Sequence, residues 1–356
     1  MPLYRKLLGV SAAAALTASV TRARREARRR AIELGAPFGV LPTLPIGEAQ
    51  RVGVVYNPSK PGAAAAIEIL ERTLAANGHP QPLVRTTRVD EPGSEAAREL
   101  IAEGVDLLIA AGGDGTVRAV AAALAHHEGP KPRLGILPMG TGNLLARNLY
   151  IPVSDVAVCV NIALNGAGQA VDAIEMTTTS APGEETEHTF FVMSGAGFDA
   201  LVMNDTNEDI KAKFGWVAYV QSGMKHMLGR SHPVRISVDG GEPRTLPMRS
   251  VLIANCGRLQ GGIRLADMTD VNDGNLEVIV ASPRDLVEWG LLMAKVTRRT
   301  IELPVIRHLV GSEVVLEFPD GAQPVEVDGD PAPSAYRISA RVLPAAVEVA
   351  VHPEVL

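Results

Sequence analysis

Val105-Asp-Leu-Leu-Ile-Ala-Ala-Gly112-Gly-Asp-Gly-Thr116 runs a continuous apolar segment straight into a glycine loop. A run without polar alternation suits a strand buried on both faces of a parallel sheet. Small loop residues let backbone N–H groups approach a ligand closely. A helix expected over residues 116–126 would point its positive end at the same place. This is the geometry of a phosphate cradle, and it makes Gly112, Gly113, Gly115 and Thr116 candidate binding residues. Asp114 places a negative charge inside it. A carboxylate beside phosphates is repulsive unless a cation lies between them, so the loop points to a metal–nucleotide site.

The neighbouring segments repeat the same unit. Arg51-Val-Gly-Val-Val-Tyr56 reads as a strand stopped by Asn57-Pro58, and residues 63–76 as a helix closing at Asn77-Gly78. A second strand is expected over 82–87, then a helix over 95–103 capped by Ser94. Beyond the glycine loop come a strand over 133–137, the turn Pro138-Met-Gly-Thr-Gly-Asn143, and a helix over about 142–148. Strand–helix alternation of this kind signals a doubly wound α/β domain. Gly140 falls 28 residues after Gly112, one βα unit later. Both loops should then share the edge at the C-terminal ends of neighbouring strands, where ligands bind in such sheets. There Thr141 and Asn143 can either bond a phosphate or cap a helix. Asn57-Pro-Ser-Lys-Pro-Gly62 ends the first strand on that edge as well.

After Gly166 the rhythm changes to strands, expected over 171–178, 189–193, 234–238, 250–254, 276–280, 313–317, 325–327 and 346–351. Helical patches are expected only over 209–228 and 284–299. Many strands with few crossovers suggest a mainly antiparallel β-sandwich. The fold class is therefore α/β: an N-terminal doubly wound nucleotide-binding domain followed by a β-rich sandwich domain, with a ligand cleft between them. The expected boundaries are 1–50 for a basic arm and linker, 51–165 for the α/β domain and 166–341 for the β-rich domain.

Several motifs lie in the second half. Val325-Glu-Val-Asp328-Gly-Asp330 puts two carboxylates two residues apart on a strand-to-turn element, where a general base or a plain surface turn would fit. Asp267-Met-Thr-Asp270-Val-Asn-Asp273-Gly-Asn275 is rich in oxygen ligands, as hard cations require, but lacks EF-hand spacing. Gly195-Ala-Gly197-Phe-Asp-Ala200 satisfies G-x-G-x-x-A, yet it sits among strands rather than at the opening of a βαβ helix. Leu286, Trp289, Leu292, Met293 and Val296 give a broad apolar helix face that reads as core. The chain contains no Walker A pattern and no protein-kinase H-R-D and D-F-G pair.

The chain has 356 residues, 46% of them hydrophobic and 21% charged, which excludes wholesale disorder. Two cysteines, Cys159 and Cys256, exclude a disulfide scaffold and a four-Cys zinc site. Of the net charge of −6, residues 1–50 hold eight basic and three acidic groups, a balance of +5, so the rest carries −11. An acidic body is a poor nucleic-acid binder. The arginine-rich arm could meet an anionic membrane surface instead. Its apolar stretch, residues 7–20, is shorter than the roughly 20 residues of a membrane span. Six arginines between Arg22 and Arg30 also oppose export of that segment.

Gly112-Gly-Asp-Gly-Thr116 and Pro138-Met-Gly-Thr-Gly-Asn143, in that order and spacing, resemble the diacylglycerol kinase catalytic-domain superfamily, most closely its bacterial soluble lipid kinases. Gly195-Ala-Gly-Phe-Asp-Ala200 is similar to a segment of the same family. The resemblance implies ATP-dependent phosphorylation of a lipid hydroxyl at the membrane surface, with Mg²⁺. It implies a cytoplasmic enzyme, and the arginine arm leaves open both a solvated helix and a peripheral contact with the inner face of the membrane. It maps nucleotide contacts to Asn57, Thr87, Gly112–Thr116, Gly140, Thr141 and Asn143, and a carboxylate–water–Mg²⁺ network to Asp114 and Asp172. It maps a structural Mg²⁺ site to Asp273, with oxygens from Asp270 and Asn275, and the general base of a D-G-E motif to Asp330. Residues 342–356 are expected to return to the first domain. The chain departs from the family in three places: Asp330 replaces Glu, Leu144 stands where an acid often follows Asn143, and Lys60-Pro61 replaces a shorter Ser-Gly. An NAD kinase, which shares the G-G-D-G loop, and a non-catalytic nucleotide-binding regulator are the rival readings.

Overall fold

The structure is a computed structural model and describes residues 50–197, 231–258, 270–283, 288 and 306–356. The basic arm and the two helical patches expected over 209–228 and 284–299 lie outside the described residues, Glu288 apart.

Four strands build the first half: β1 (Val52–Tyr56), β2 (Leu83–Thr86), β3 (Leu107–Gly112) and β4 (Arg133–Pro138). They run parallel in the order β2-β1-β3-β4, and every residue of β3 is buried, which is why its sequence shows no alternation. Helix α1 (Ala63–Ala76) buries Ala63, Ala66, Ile67, Leu70 and Leu74, a three-and-four spacing along one face. It stops where Asn77 Nδ2 donates to Thr73 O at 2.6 Å and Gly78 turns left-handed at φ 71°.

Helix α2 (Ser94–Ala102) corrects one expectation. Ser94 lies inside the first turn, and its hydroxyl makes no cap bond. Glu91 takes that role: its Oε1 accepts the N–H groups of Gly93 at 3.0 Å and Glu95 at 2.8 Å. Helix α3 (Asp114–Ala125) starts two residues earlier than expected, so Asp114, Gly115 and Thr116 belong to its first turn. Helices α4 (Leu144–Asn148) and α5 (Val156–Asn165) complete the half. Periodicity gives no sign of α5. It buries Cys159, Val160, Ile162, Ala163 and Leu164, too wide an arc for an amphipathic pattern, and its start is fixed by Asp155 Oδ1 accepting Val158 N–H at 3.1 Å.

The remaining strands are β5 (Ala167–Ala181), β6 (Glu184–Phe190), β7 (Met193–Gly197), β8 (His232–Val238), β9 (Arg244–Met248), β10 (Ser250–Ala254), β11 (Leu276–Ala281), β12 (Ile306–Gly311), β13 (Glu313–Glu317), β14 (Gln323–Val327), β15 (Asp330–Ala335) and β16 (Arg337–Val351). The parallel sheet does not stop at β4. Val349 of β16 pairs with Leu134, and the sheet continues through β13, β8 and β9 to ten strands, with β5 and β6 branching from β16. The two 15-residue strands β5 and β16 pair antiparallel along almost their full length and so run through both halves.

A second sheet, β12-β11-β10-β7-β14-β15, is antiparallel throughout. Ile253, Val278 and Val325 of this sheet share a buried core with Ile236, Leu316 and Ile338 of the first, so the two sheets form a sandwich. Gly195 and Gly197 lie in β7, paired with β10 and β14; no helix opens at Gly195, and the G-x-G-x-x-A match is not a dinucleotide turn. Among the described residues, no helix is long and apolar enough to cross a membrane.

Candidate active site

Backbone bonds stitch the C-terminal ends of the parallel strands into one rim. Thr87 N–H donates to Tyr56 O at 2.9 Å, Asn57 N–H to Ala111 O at 3.0 Å, and Met139 N–H to Gly112 O at 2.8 Å. The three loops that leave this rim therefore lie side by side. The two glycine loops touch: a Cβ on Gly140 would stand 2.8 Å from Gly113 Cα. A Cβ on Gly142 would stand 2.8 Å from Asp114 Oδ2. Glycine is required at these positions by contact, since neither residue has a positive φ.

Asp114 is the clamp between the loops. Its Oδ2 accepts the N–H of Asn143 at 2.8 Å, and its Oδ1 the N–H of Leu144 at 2.6 Å. These are orphan donors at the start of α4, and a carboxylate satisfies two at once. Asn143 stands left-handed at φ 49°, and its side chain closes its own turn: Oδ1 accepts Gly140 N–H at 2.8 Å, and Nδ2 donates to Gly140 O at 2.7 Å. Asn57 likewise folds its own turn, with Oδ1 accepting the Ser59 N–H at 3.0 Å and hydroxyl at 2.6 Å. Thr87 is buried at the same rim, and Thr116 is buried in the first turn of α3.

Lys60 carries no binding motif in the sequence. Its Nζ lies 3.8 Å from the position a Gly113 Cβ would take, over the junction of the two glycine loops. The Asn57–Gly62 turn thus delivers a cation to the rim. Only the spacing Asn57-Pro-Ser-Lys60 could have hinted at it.

The Asp328-Gly329-Asp330 turn comes to this rim from the second sheet. Asp330 Oδ2 lies 3.6 Å from the position of a Gly115 Cβ. Asp330 is exposed and ion-paired to Arg118 Nη2 at 2.7 Å, while Arg118 Nη1 donates to Val327 O. Asp328 is buried and left-handed, at φ 48°. Its carboxylate accepts the N–H groups of Met193 at 3.0 Å, Val192 at 3.1 Å and Phe191 at 3.3 Å. Burial pushes this carboxyl from its ordinary 3.8 up to about 6, and Arg118 and the three N–H groups offset that only in part. The penalty is absent below pH 3.8, grows between there and about 6, and is full above.

Two hollows flank Arg118. One, of ≈ 10 Å³, is lined by Asp114, Asn143, Phe191 and Asp328 and has room for about one water. The other, of ≈ 190 Å³, is lined by Arg118, His188, Thr189, Asp330 and Pro331. Burial first, and Arg118 second, lower the His188 pKa.

Asp172 lies elsewhere than Asp114. It is buried on β5; its Oδ1 accepts Ala345 N–H at 2.7 Å and its Oδ2 Gly274 N–H at 2.8 Å. It therefore joins the bulge of β16 between Leu343 and Val347 to the Asp270–Asn275 turn. In that turn Asp273 Oδ2 accepts Asp270 N–H at 3.0 Å and Oδ1 accepts Asn275 N–H at 2.9 Å. Among the described residues no group of three or more His, Cys, Asp or Glu could hold a metal. The turn does not form a cage. Its carboxylates are those of Asp270 and Asp273, against the one or two that a Mg²⁺ keeping several of its waters needs.

Comparison with known proteins agrees with this architecture. The family described as "Diacylglycerol kinase catalytic domain" matches residues 51–176, and "YegS C-terminal NAD kinase beta sandwich-like domain" matches residues 192–351. A Xanthomonas euvesicatoria protein named "Probable lipid kinase YegS-like" is 31% identical over 261 residues, covering 71% of this chain and 81% of its own length. The "Diacylglycerol kinase" of Bacillus subtilis is 27% identical over 248 residues, covering 67% and 76%. A crystal structure titled as a diacylglycerol kinase from Bacillus anthracis superposes with a TM-score of 0.64 at 20% identity, over 87% of this chain and all of the other.

Proposed function

This chain belongs to the diacylglycerol kinase catalytic-domain family of lipid kinases, and we propose that it transfers the γ-phosphoryl of ATP to a lipid hydroxyl, diacylglycerol being the first acceptor to test and a sphingoid base or ceramide the next. The observation that carries this reading is the seating of Asp330 over Gly115, which puts a carboxylate from the second sheet beside a phosphate-type loop of the first. In this reading the triphosphate lies along Gly112–Thr116 and Gly140–Asn143. The N–H groups of α3 face it, Lys60 adds a positive charge, and Asn57 and Thr87 border it. A magnesium ion bound with the nucleotide would supply positive charge to the transferring phosphoryl group.

The lipid hydroxyl enters from the ≈ 190 Å³ hollow and gives its proton to Asp330. Oxygen–phosphorus bond formation to the acceptor and cleavage from ADP then proceed in line. Asp114 and Asp172 act by holding backbone: Asp114 aligns the two loops, and Asp172 ties β5 to the Asp273 turn. Cation ligands at that turn would be Asp273, with oxygens of Asp270 and Asn275. The arginine arm would keep the enzyme at an anionic inner leaflet.

The test incubates the chain with Mg²⁺, labelled ATP and each lipid in detergent micelles. Phosphorylated lipid is the expected product. Label on NAD would favour the NAD-kinase alternative, and tight ATP binding without lipid-dependent ADP release the regulator. Gly140→Ala probes the nucleotide side alone. Its Cβ would meet backbone at 2.8 Å and Asn143 Oδ1 at 3.0 Å, so the loops must part. Overpacking costs about 1–3 kcal/mol, so a fluorescent ADP analogue should bind roughly 5- to 150-fold more weakly, with circular dichroism unchanged.

A further inference from the structure

We propose that Arg118 is a positioning residue for the phosphoryl transfer: it reaches from the glycine-loop helix to the second sheet and holds the Asp328–Asp330 turn against the nucleotide rim. This rests on the lipid-kinase reading. Arg118 stands four residues after Asp114 on α3, one helical turn on, so the two share a face. Its guanidinium spans two acceptors on the opposite sheet, Val327 O and Asp330 Oδ2. The Arg118 side chain is 23% exposed and that of Asp330 58%, so a packed cation restrains a carboxylate that otherwise projects into solvent. Arg118 also lines both hollows and is the residue their linings share. Whatever moves Arg118 moves Asp330 relative to Gly115. Lysine offers a single point charge and cannot bridge a carbonyl and a carboxylate in the planar fork arginine provides.

Arg118→Gln and Arg118→Lys in the full chain test this. Loss of alignment by about 1 Å lowers turnover by roughly 100-fold, so Arg118→Gln should lose about that factor in kcat, while KM for ATP stays within about twofold. Arg118→Lys should retain part of the rate. Asp328 seats the turn that carries Asp330, and Arg118→Gln removes the cation that offsets its burial, so its protonation, and with it the acid limb of kcat, should move to higher pH. The charged or titratable groups facing Asp328 are Arg118 and Asp114 from α3, Cys256 after β10, and Glu326 and Asp330 of its own hairpin. Hydrogen exchange at the amides of residues 328–330 should quicken at least about tenfold, reporting the turn without reference to activity.

A kcat within twofold of wild type overturns the proposal. So does a lower kcat accompanied by a raised ATP KM and an unmoved pH profile, which would mean general disruption. If wild type phosphorylates no lipid, the activity reading fails by itself. Exchange at 328–330 then decides only whether Arg118 holds the turn: unchanged exchange rejects that contact as a restraint, and faster exchange upholds the restraint while the role in phosphoryl transfer falls with the activity.

Discussion

Asp330→Asn should abolish most lipid phosphorylation while leaving the protein folded and able to bind nucleotide. A positioned general base contributes roughly 10²–10⁴-fold, and an amide cannot take the hydroxyl proton. Asp330 is exposed at the start of β15, so the fold loses only an ion pair to Arg118. Partly exposed pairs are worth at most about 1 kcal/mol, and the melting temperature should move by a few degrees or less. The ADP analogue should bind within about twofold of wild type, since in the proposed mechanism Asp330 bonds the acceptor hydroxyl and donates nothing to the phosphates. Asp330→Glu separates charge from length. It restores the carboxylate with one more methylene and should keep a substantial part of the rate. Turnover of Asp330→Asn near that of wild type would remove Asp330 from the chemistry.

Much of this arrangement is legible in the sequence, and the limits have physical causes. The parallel strands announce themselves because burial on both faces forces unbroken apolar runs, as in β3. The two glycine loops announce themselves because their backbones must touch, and Gly140 against Gly113 tolerates no side chain. Helix α5 is invisible because packing on a wide arc erases the polar stripe that periodicity needs. Continuity of the large sheet through β16 is invisible because Val349 beside Leu134 joins residues far apart in sequence. Arg118 and Lys60 carry no motif; each becomes a site residue only when folding sets it beside Asp330 or Gly113. Asp328 looks like half of a surface turn, and only its burial under three backbone N–H groups distinguishes it.

Asp114→Asn should be as damaging to turnover as Asp330→Asn, by a different route, and the two are separable. The Asp114 carboxylate accepts two backbone N–H groups at the start of α4, from Asn143 and Leu144. An asparagine can offer its oxygen to one of them; its NH₂ then faces the other, donor against donor. Charge-assisted bonds of this kind contribute about 1.5–3 kcal/mol each, and the lost one also releases the left-handed Asn143 that shapes the Gly140 turn. The variant should therefore bind the ADP analogue more than about tenfold more weakly and melt several degrees lower, whereas Asp330→Asn does neither. Turnover should fall by about 10³-fold, because the phosphate-facing N–H groups of two loops lose their common frame. Asp114→Glu should not rescue it: Asp114 Oδ2 already lies 2.8 Å from where a Gly142 Cβ would be, and a longer side chain pushes the second loop away. Asp114→Asn with wild-type ADP affinity and melting temperature would show that the contact between the loops does not depend on this carboxylate, and that the rim is held together by its glycines alone.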